Sequence, residues 1–108
     1  MKVSVIGMGY IGLPTAALLA KNRVEVVGVD TNQKVVDIIN QGKIHIVEPY
    51  LGDLVKSAVQ EGYLRTVEKP ESSDIYMIAV PTPFKDNYEP NLSFIEKASK
   101  SIAPFLNK

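Results

Sequence analysis

The sequence predicts an α/β fold in which a mostly parallel sheet carries helices on both faces. Short runs of β-branched residues alternate along the chain with stretches of helical character, which is typical of βαβ units. Most of these runs are apolar at successive positions, as in strands that are covered on both sides. The length of 108 residues fits one small domain.

The first three elements form one βαβ unit. Val3 to Ile6 is a short apolar strand, followed at once by glycines. Residues 10–22 favour a helix, and Pro14 falls in its first turn, where a missing N–H is tolerated. Val24 to Asp30 is a second strand, which we expect to lie parallel to the first, with a right-handed connection.

Two further helices are predicted from their apolar spacing and their end signals. Thr31 or Asn32 can cap the second helix, and Gly42 suits the position just past its end. Residues 51–59 carry apolar side chains at amphipathic helical spacing, and Gly62 ends this third helix.

The last part of the chain contains two strands and a helix. Residues 64–67 form a short strand, and residues 75–80 form a continuous apolar strand that Pro81 ends. Asn91 can cap a last helix, and Pro104 should weaken or kink its end.

Composition and charge exclude several classes of function. Twelve basic and twelve acidic residues give a formal net charge of zero, so neither nucleic acid nor an anionic membrane is an expected partner. The absence of cysteine excludes a disulfide framework, a cysteine-ligated metal and a thiol nucleophile within these residues, and we expect no metal site. The chain has no signal-peptide core and no run of 18 apolar residues, so we expect a cytoplasmic protein.

One motif carries chemistry. Residues 7–12 read Gly-Met-Gly-Tyr-Ile-Gly, which matches the G-x-G-x-x-G pattern of dinucleotide-binding turns. The pattern follows the first strand and opens a helix, and Asp30 closes the second strand 18 residues after Gly12. This context predicts a dinucleotide site, with an ordinary strand-to-helix turn as the alternative.

Each residue of the motif has a physical role in this interpretation. Gly7 permits the tight turn, Gly9 lets the backbone approach a pyrophosphate, and Gly12 lets the helix lie close to the strand. The free N–H groups of Tyr10 and Ile11 then point at the phosphates, where the helix dipole adds partial positive charge.

Asp30 and Thr82 complete the predicted cofactor site. The Asp30 carboxylate can accept hydrogen bonds from ribose hydroxyls and repel a 2′-phosphate, which favours NAD over NADP, although it can also cap the next helix. Thr82 lies in the Pro-Thr-Pro loop after the last strand, at the sheet edge where ligands bind. The alternatives are a rigid turn at Thr82 that contacts no ligand, and FAD in place of NAD.

Four segments resemble the N-terminal part of the UDP-glucose/UDP-mannuronate dehydrogenase family, and the resemblance as a whole covers nearly all of the chain. They are VIGMGYIGLPTA (5–16), VGVDTN (27–32), INQG (39–42) and AVPTPF (79–84). Within the family, residues 44–49 and 101–104 are most similar to the branch that oxidises UDP-N-acetyl-D-mannosamine.

The resemblance implies a Rossmann-like domain of which residues 1–108 form the N-terminal, incomplete part. It implies oxidation of the 6-hydroxymethyl group of a UDP-sugar to a carboxylate with two NAD, for polysaccharide biosynthesis. Tyr10, Ile11, Asp30 and Thr82 would contact the cofactor. The family's catalytic cysteine, its catalytic lysine and most UDP-sugar contacts would lie further along the chain, so we expect no catalytic residue here and no turnover by this piece alone.

Two alternatives to this function remain open from the sequence. One is a UDP-glucose 6-dehydrogenase, and the other is a stand-alone NAD-binding regulatory module without catalysis. In either case a sheet that lacks its next strand would leave unpaired backbone at one edge. We therefore also expect self-association through that edge.

Overall fold

The computed structural model describes residues 1–80 and 93–106 of the chain. The strands and helices follow one another in the order that the sequence pattern predicts. In chain order the elements are β1 (Lys2–Ile6), α1 (Gly12–Lys21), β2 (Glu25–Val29), α2 (Gln33–Asn40), α3 (Leu51–Gln60), β3 (Leu64–Val67), β4 (Ile75–Ile78), α4 (Ser93–Ile102) and a 3₁₀ turn (Ala103–Phe105).

The four strands form one parallel sheet in the order β3-β2-β1-β4. Val3 of β1 lies opposite Val26 of β2 on one side and opposite Ile75 of β4 on the other. The chain therefore moves outward from β1 through β2 to β3 and then crosses to the opposite side of β1. Ligands of open α/β sheets bind at such a switch point, beyond the carboxyl ends of the strands.

Helices cover both faces of the sheet, which confirms the predicted architecture. One face packs against the first three helices, and its buried core includes Val5, Leu13, Ala17, Ile39, Leu51 and Val55. The other face packs against α4, and its buried core contains Ile6, Val27, Val29, Ala98 and Ile102. Burying apolar side chains on both sides explains why β1 and β2 carry apolar residues at adjacent positions, such as Val5 and Ile6 in β1 and Val26 and Val27 in β2.

The end signals predicted for the second and third helices are also present. Asn32 is the N-cap of α2, where its side-chain oxygen accepts a hydrogen bond from the Lys34 N–H at 3.0 Å. Gly42 and Gly62 follow the C-caps of α2 and α3 with φ angles of +79° and +84°. These left-handed conformations are the ones that favour glycine after a helix.

Two elements differ from the expectation. Helix α1 begins at Gly12 and not at residue 10, because the chain is still turning there and Ile11 is the N-cap. Strand β4 ends at Ile78, and it is an edge strand with exposed side chains, among them Ile75 at 43 % and Met77 at 39 % exposure. The predicted cap Asn91 lies outside the described residues.

Candidate dinucleotide-binding site

The glycine turn, residues 7–12, lies at the switch point of the sheet. Gly7 follows β1, and its N–H donates to the carbonyl oxygen of Val29 at the end of β2 at 2.7 Å. Its φ angle is +101°, and a Cβ placed there would lie 2.8 Å from the carbonyl oxygen of Ala79, which follows β4. Both observations restrict this position to glycine.

Gly12 lets α1 begin directly against the turn. A Cβ placed on Gly12 would overlap the carbonyl oxygen of Gly7 and would lie 3.4 Å from the Cβ of Ala79. Any larger residue would push the helix N-terminus away from β1 and β4. The position of the helix dipole relative to the sheet edge therefore depends on this glycine.

Gly9 differs from the other two glycines because its surroundings are open. A Cβ placed there would have no atom of the described residues within 4 Å, so none of these residues requires glycine at this position. Within residues 1–80 and 93–106, the N–H groups of the next two residues, Tyr10 and Ile11, donate to no protein acceptor. Helix α1 has no side-chain N-cap bond and no acid in its first turn. The turn thus offers open space and free donors to an anion.

Asp30 follows β2 and contacts the glycine turn directly. Its Oδ2 atom accepts a hydrogen bond from the Met8 N–H at 3.0 Å, and its Oδ1 atom accepts from the Asn32 N–H at 2.9 Å. Asp30 is not the N-cap of α2, since Asn32 holds that position. Each carboxylate oxygen can accept more than one hydrogen bond, so both retain capacity for a ligand hydroxyl.

Met8 and Gly28 were not singled out in the sequence, although the structure brings them together beneath the turn. Met8 is fully buried. A Cβ placed on Gly28 would lie 2.5 Å from its Sδ atom. A signal for Gly28 was present, because an isolated glycine within a β-branched strand often marks a close approach. Nothing in the motif pattern identifies the first variable position, Met8, as a core residue.

The remaining predicted site residue, Thr82, lies outside the described residues. Ala79 and Val80 bring the chain to the site, since the Ala79 N–H donates to the Ile6 carbonyl oxygen at 2.7 Å. In the described part of the chain, no three His, Asp or Glu side chains form a group that could hold a metal ion. No helix of that part is long and apolar enough to cross a membrane.

These features together fit a dinucleotide. The space over Gly9 and the free N–H groups suit the pyrophosphate, and the Asp30 carboxylate beside them suits the hydroxyls of a ribose. The strand, turn, helix and acid on which the predicted motif depends are all present in the structure.

Comparisons with known proteins agree with this geometry. A model of the "UDP-glucose/GDP-mannose dehydrogenase family, NAD binding domain" matches residues 1–108. The chain is 62 % identical over 108 residues to a UDP-N-acetyl-D-mannosamine dehydrogenase of Campylobacter jejuni, covering 99 % of this chain and 26 % of the relative. It is 59 % identical over 106 residues to an NDP-N-acetyl-D-galactosaminuronic acid dehydrogenase of Ralstonia nicotianae, covering 98 % of this chain and 25 % of that relative.

A solved structure shows the same fold. The native UDP-N-acetyl-mannosamine dehydrogenase of Staphylococcus aureus superposes with a TM-score of 0.96 at 43 % sequence identity, over 100 % of this chain and 27 % of the other. This chain thus spans about a quarter of the length of the proteins it matches. The family match over all 108 residues and the glycine turn lead to the same conclusion: the chain belongs to the UDP-glucose/GDP-mannose dehydrogenase family and matches its NAD-binding domain.

Proposed function

We propose that the glycine turn and Asp30 bind NAD in this chain. Gly9 leaves room for the pyrophosphate, the N–H groups of Tyr10 and Ile11 donate to it, and Asp30 accepts from the adenosine ribose. Gly7 and Gly12 hold the turn in the required shape. Thr82, which follows β4 in the sequence, is the further cofactor contact that we propose. The observation that carries the proposal is the open space at Gly9 beside free backbone donors.

The Asp30 carboxylate favours NAD over NADP. It lies beside the turn, where its Oδ2 atom is held by the Met8 N–H. A 2′-phosphate on the ribose would bring a second negative charge to this carboxylate. Thr31, Asn32 and Gln33 follow it, and none of them supplies a cation that would offset the repulsion.

A thermal melt of the chain with and without each cofactor tests this proposal. At one hundred times its dissociation constant, NAD should stabilise the folded chain by about 2.7 kcal/mol, a shift of roughly 10–20 °C for a domain of this size. NADP at the same concentration should give a clearly smaller shift. A cooperative melt that neither cofactor moves would contradict NAD binding by this chain.

We further propose that the chain is the NAD-binding portion of an enzyme that oxidises UDP-N-acetyl-D-mannosamine to its uronic acid. The 62 % identity to the Campylobacter jejuni relative of that name supports this substrate. NAD, when bound, accepts the hydride from the sugar carbon. The 59 % identity to the Ralstonia relative makes an N-acetylgalactosamine nucleotide the second candidate substrate.

A longer protein that carries this chain should reduce NAD with UDP-N-acetyl-D-mannosamine faster than with UDP-N-acetyl-D-galactosamine or UDP-glucose. A faster rate with UDP-N-acetyl-D-galactosamine than with UDP-N-acetyl-D-mannosamine would favour the second candidate substrate. The 108-residue chain alone should bind NAD and show no NADH formation with any of the three sugars. It contains no cysteine, and a thiolate is the nucleophile that a covalent second oxidation needs.

A further inference from the structure

We propose that Met8, the first variable residue of the motif, anchors the glycine turn in its NAD-binding shape, and that Gly28 sets the depth at which Met8 sits. The two are positioning residues that act through Gly9 and Asp30. This inference rests on the proposed NAD site. It adds to that site two residues that the motif leaves unspecified.

The side chain of Met8 is the first half of the anchor. Met8 is 0 % exposed although the residues on both sides of it are partly exposed. It lies over the face of β2, where a Cβ on Gly28 would come within 2.5 Å of the Met8 Sδ and 2.9 Å of the Thr66 Cγ2. Thr66 cannot easily move aside, because its hydroxyl donates to the Val36 carbonyl oxygen at 3.0 Å. Only a glycine at position 28 leaves this space to Met8.

The backbone N–H of Met8 is the second half of the anchor. Its N–H donates to the Asp30 Oδ2 at 3.0 Å, while the other oxygen of Asp30 is held by the Asn32 N–H. Met8 therefore joins the part of the turn that faces the pyrophosphate, Gly9, to the carboxylate that faces the ribose. Both contacts are made within the protein itself, so they hold the two halves of the site at one separation. A preformed site avoids part of the ordering cost of binding.

A double-mutant comparison tests the side-chain contact. The methyl group of Gly28→Ala should displace Met8 and with it the turn, so the NAD dissociation constant should rise on the order of tenfold. Met8→Ala alone should also weaken NAD binding, because the glycine turn loses the buried side chain that holds it against β2. In the Met8→Ala background the same Gly28→Ala change should weaken NAD binding much less, because the clash with Met8 is gone and only the contact with the Thr66 Cγ2 at 2.9 Å remains. NAD affinity is measured by isothermal titration calorimetry.

Val3→Ala is the matched control for general destabilisation. Val3 belongs to the same buried cluster as Met8 but lies near the opposite end of β1. It should lower the melting temperature and leave the NAD dissociation constant within about twofold. If Gly28→Ala weakens NAD binding equally with Met or Ala at position 8, or if Val3→Ala weakens it as much, the anchoring role is wrong.

Amide hydrogen exchange followed by NMR tests the backbone contact without any cofactor. The Met8 amide should exchange at least about tenfold more slowly than the free amides of Tyr10 and Ile11, and Asp30→Ala should remove this protection. A Met8 amide that exchanges as fast as that of Tyr10 would overturn the anchor even where NAD binds. A protected Met8 amide in a chain that binds no NAD would support the anchor and contradict the proposed cofactor site.

Discussion

At the scale of single residues, the three glycines of the turn are required for different reasons. Gly7 and Gly12 are restricted by the protein itself, because a Cβ at either would collide with backbone atoms. No atom of the described residues lies within 4 Å of a Cβ placed on Gly9, so none of them requires glycine there. Substitutions at Gly9 therefore separate binding from folding, which substitutions at Gly7 and Gly12 cannot do.

Gly9→Ala should leave the melting temperature of the free chain nearly unchanged and should weaken NAD binding. The methyl group enters space that the pyrophosphate needs, so phosphate hydrogen bonds are lengthened and the dissociation constant should rise about 10- to 100-fold. Calorimetric titration with NAD measures this change.

Gly52→Ala is the matched control, since among the described residues a Cβ on this helical glycine of α3 would meet the Ile44 Cδ1 alone, at 3.9 Å. It should raise stability by about 0.5–1 kcal/mol and leave NAD affinity unchanged. Wild-type NAD affinity in Gly9→Ala would show that the pyrophosphate does not lie over Gly9.

At the scale of elements, side chains complete the sheet at places that backbone pairing leaves open. The outer edge of β3 is covered by Asn40, the last residue of α2. Its side-chain amide donates to the Thr66 carbonyl oxygen and accepts from the Thr66 N–H, both at 2.9 Å. One side chain thus makes the two hydrogen bonds that a neighbouring strand would make at this residue.

Asn40→Ala should destabilise the chain by about 1–3 kcal/mol, because it leaves the N–H and the carbonyl of Thr66 without their partner at a partly buried edge. Asn40→Asp should keep the bond from the Thr66 N–H but place a carboxylate oxygen against the Thr66 carbonyl oxygen, so it should also be less stable than the wild type. Urea unfolding measures all three proteins. Gln41→Ala, at an exposed neighbouring position, should change stability by less than about 0.5 kcal/mol, and an equal loss there would contradict this role.

A second set of side chains ties the start of β1 to the segment before β4. Lys2 contacts Glu71 through its Nζ at 3.0 Å, and Arg65 donates to both carboxylate oxygens of Glu71. The guanidinium hydrogen bonds, with a smaller contribution from Lys2, lower the pKa of Glu71 from its usual 4.5 to about 2. These ion pairs are partly exposed to solvent, with Arg65 at 48 % and Glu71 at 35 % side-chain exposure.

Glu71→Gln should destabilise the chain at neutral pH by about 1 kcal/mol or less, since solvent screens the pairs. The pKa of Glu71 is lower in the folded than in the unfolded chain, so its contribution is complete above about pH 4.5 and is lost as the pH falls toward 2. The difference in urea midpoint between wild type and variant should therefore shrink between pH 5 and pH 3.

Glu68→Gln provides the control for this titration, because Glu68 is exposed and makes no ion pair with the described residues. Glu68→Gln should change the free energy of unfolding only slightly, and this difference should not shrink between pH 5 and pH 3. A Glu71→Gln difference that stays constant from pH 7 to pH 3 would contradict the assigned role of the ion pairs.

At the scale of the whole molecule, the two edges of the sheet differ in whether their backbone hydrogen-bonding groups are covered. Asn40 covers β3, whereas no strand among the described residues pairs with the outer side of β4. Strand β4 reads Ile-Tyr-Met-Ile, without a charge or a proline, and Ile75, Met77 and Ile78 are between 38 % and 43 % exposed. An apolar edge of this kind favours pairing with another chain.

We propose that the 108-residue chain associates with itself through β4 at high concentration. Sedimentation velocity over a concentration series should show a reversible dimer, and Met77→Lys should shift the chain to monomer because a charge opposes edge pairing. Val47→Lys, at an exposed apolar residue (91 % exposed) outside the sheet, is the control and should leave the dimer unchanged. A wild-type monomer at the highest concentration would refute the proposal.

Much of this fold followed from local patterns. The alternation of apolar runs and amphipathic stretches predicted the strands, and short-range end signals such as Asn32 and Gly42 marked the helix ends. The predictions that were wrong concern features that depend on contacts with other elements of the fold. Helix α1 begins two residues after the predicted start because the glycine turn packs against Ala79. The side chains of β4 are partly exposed because β4 is the last strand in the order of the sheet.

Residue types at fixed short spacings were enough to predict the βαβ unit, the glycine turn with its acid and the family. Three features became known only from how the elements pack: Met8 fills the space over Gly28, Asn40 completes β3, and β4 is the strand at the exposed edge. These features join residues about 20 or more positions apart or follow from the order of strands in the sheet. These features are fixed by packing between elements, and a local pattern of residue types does not encode that packing.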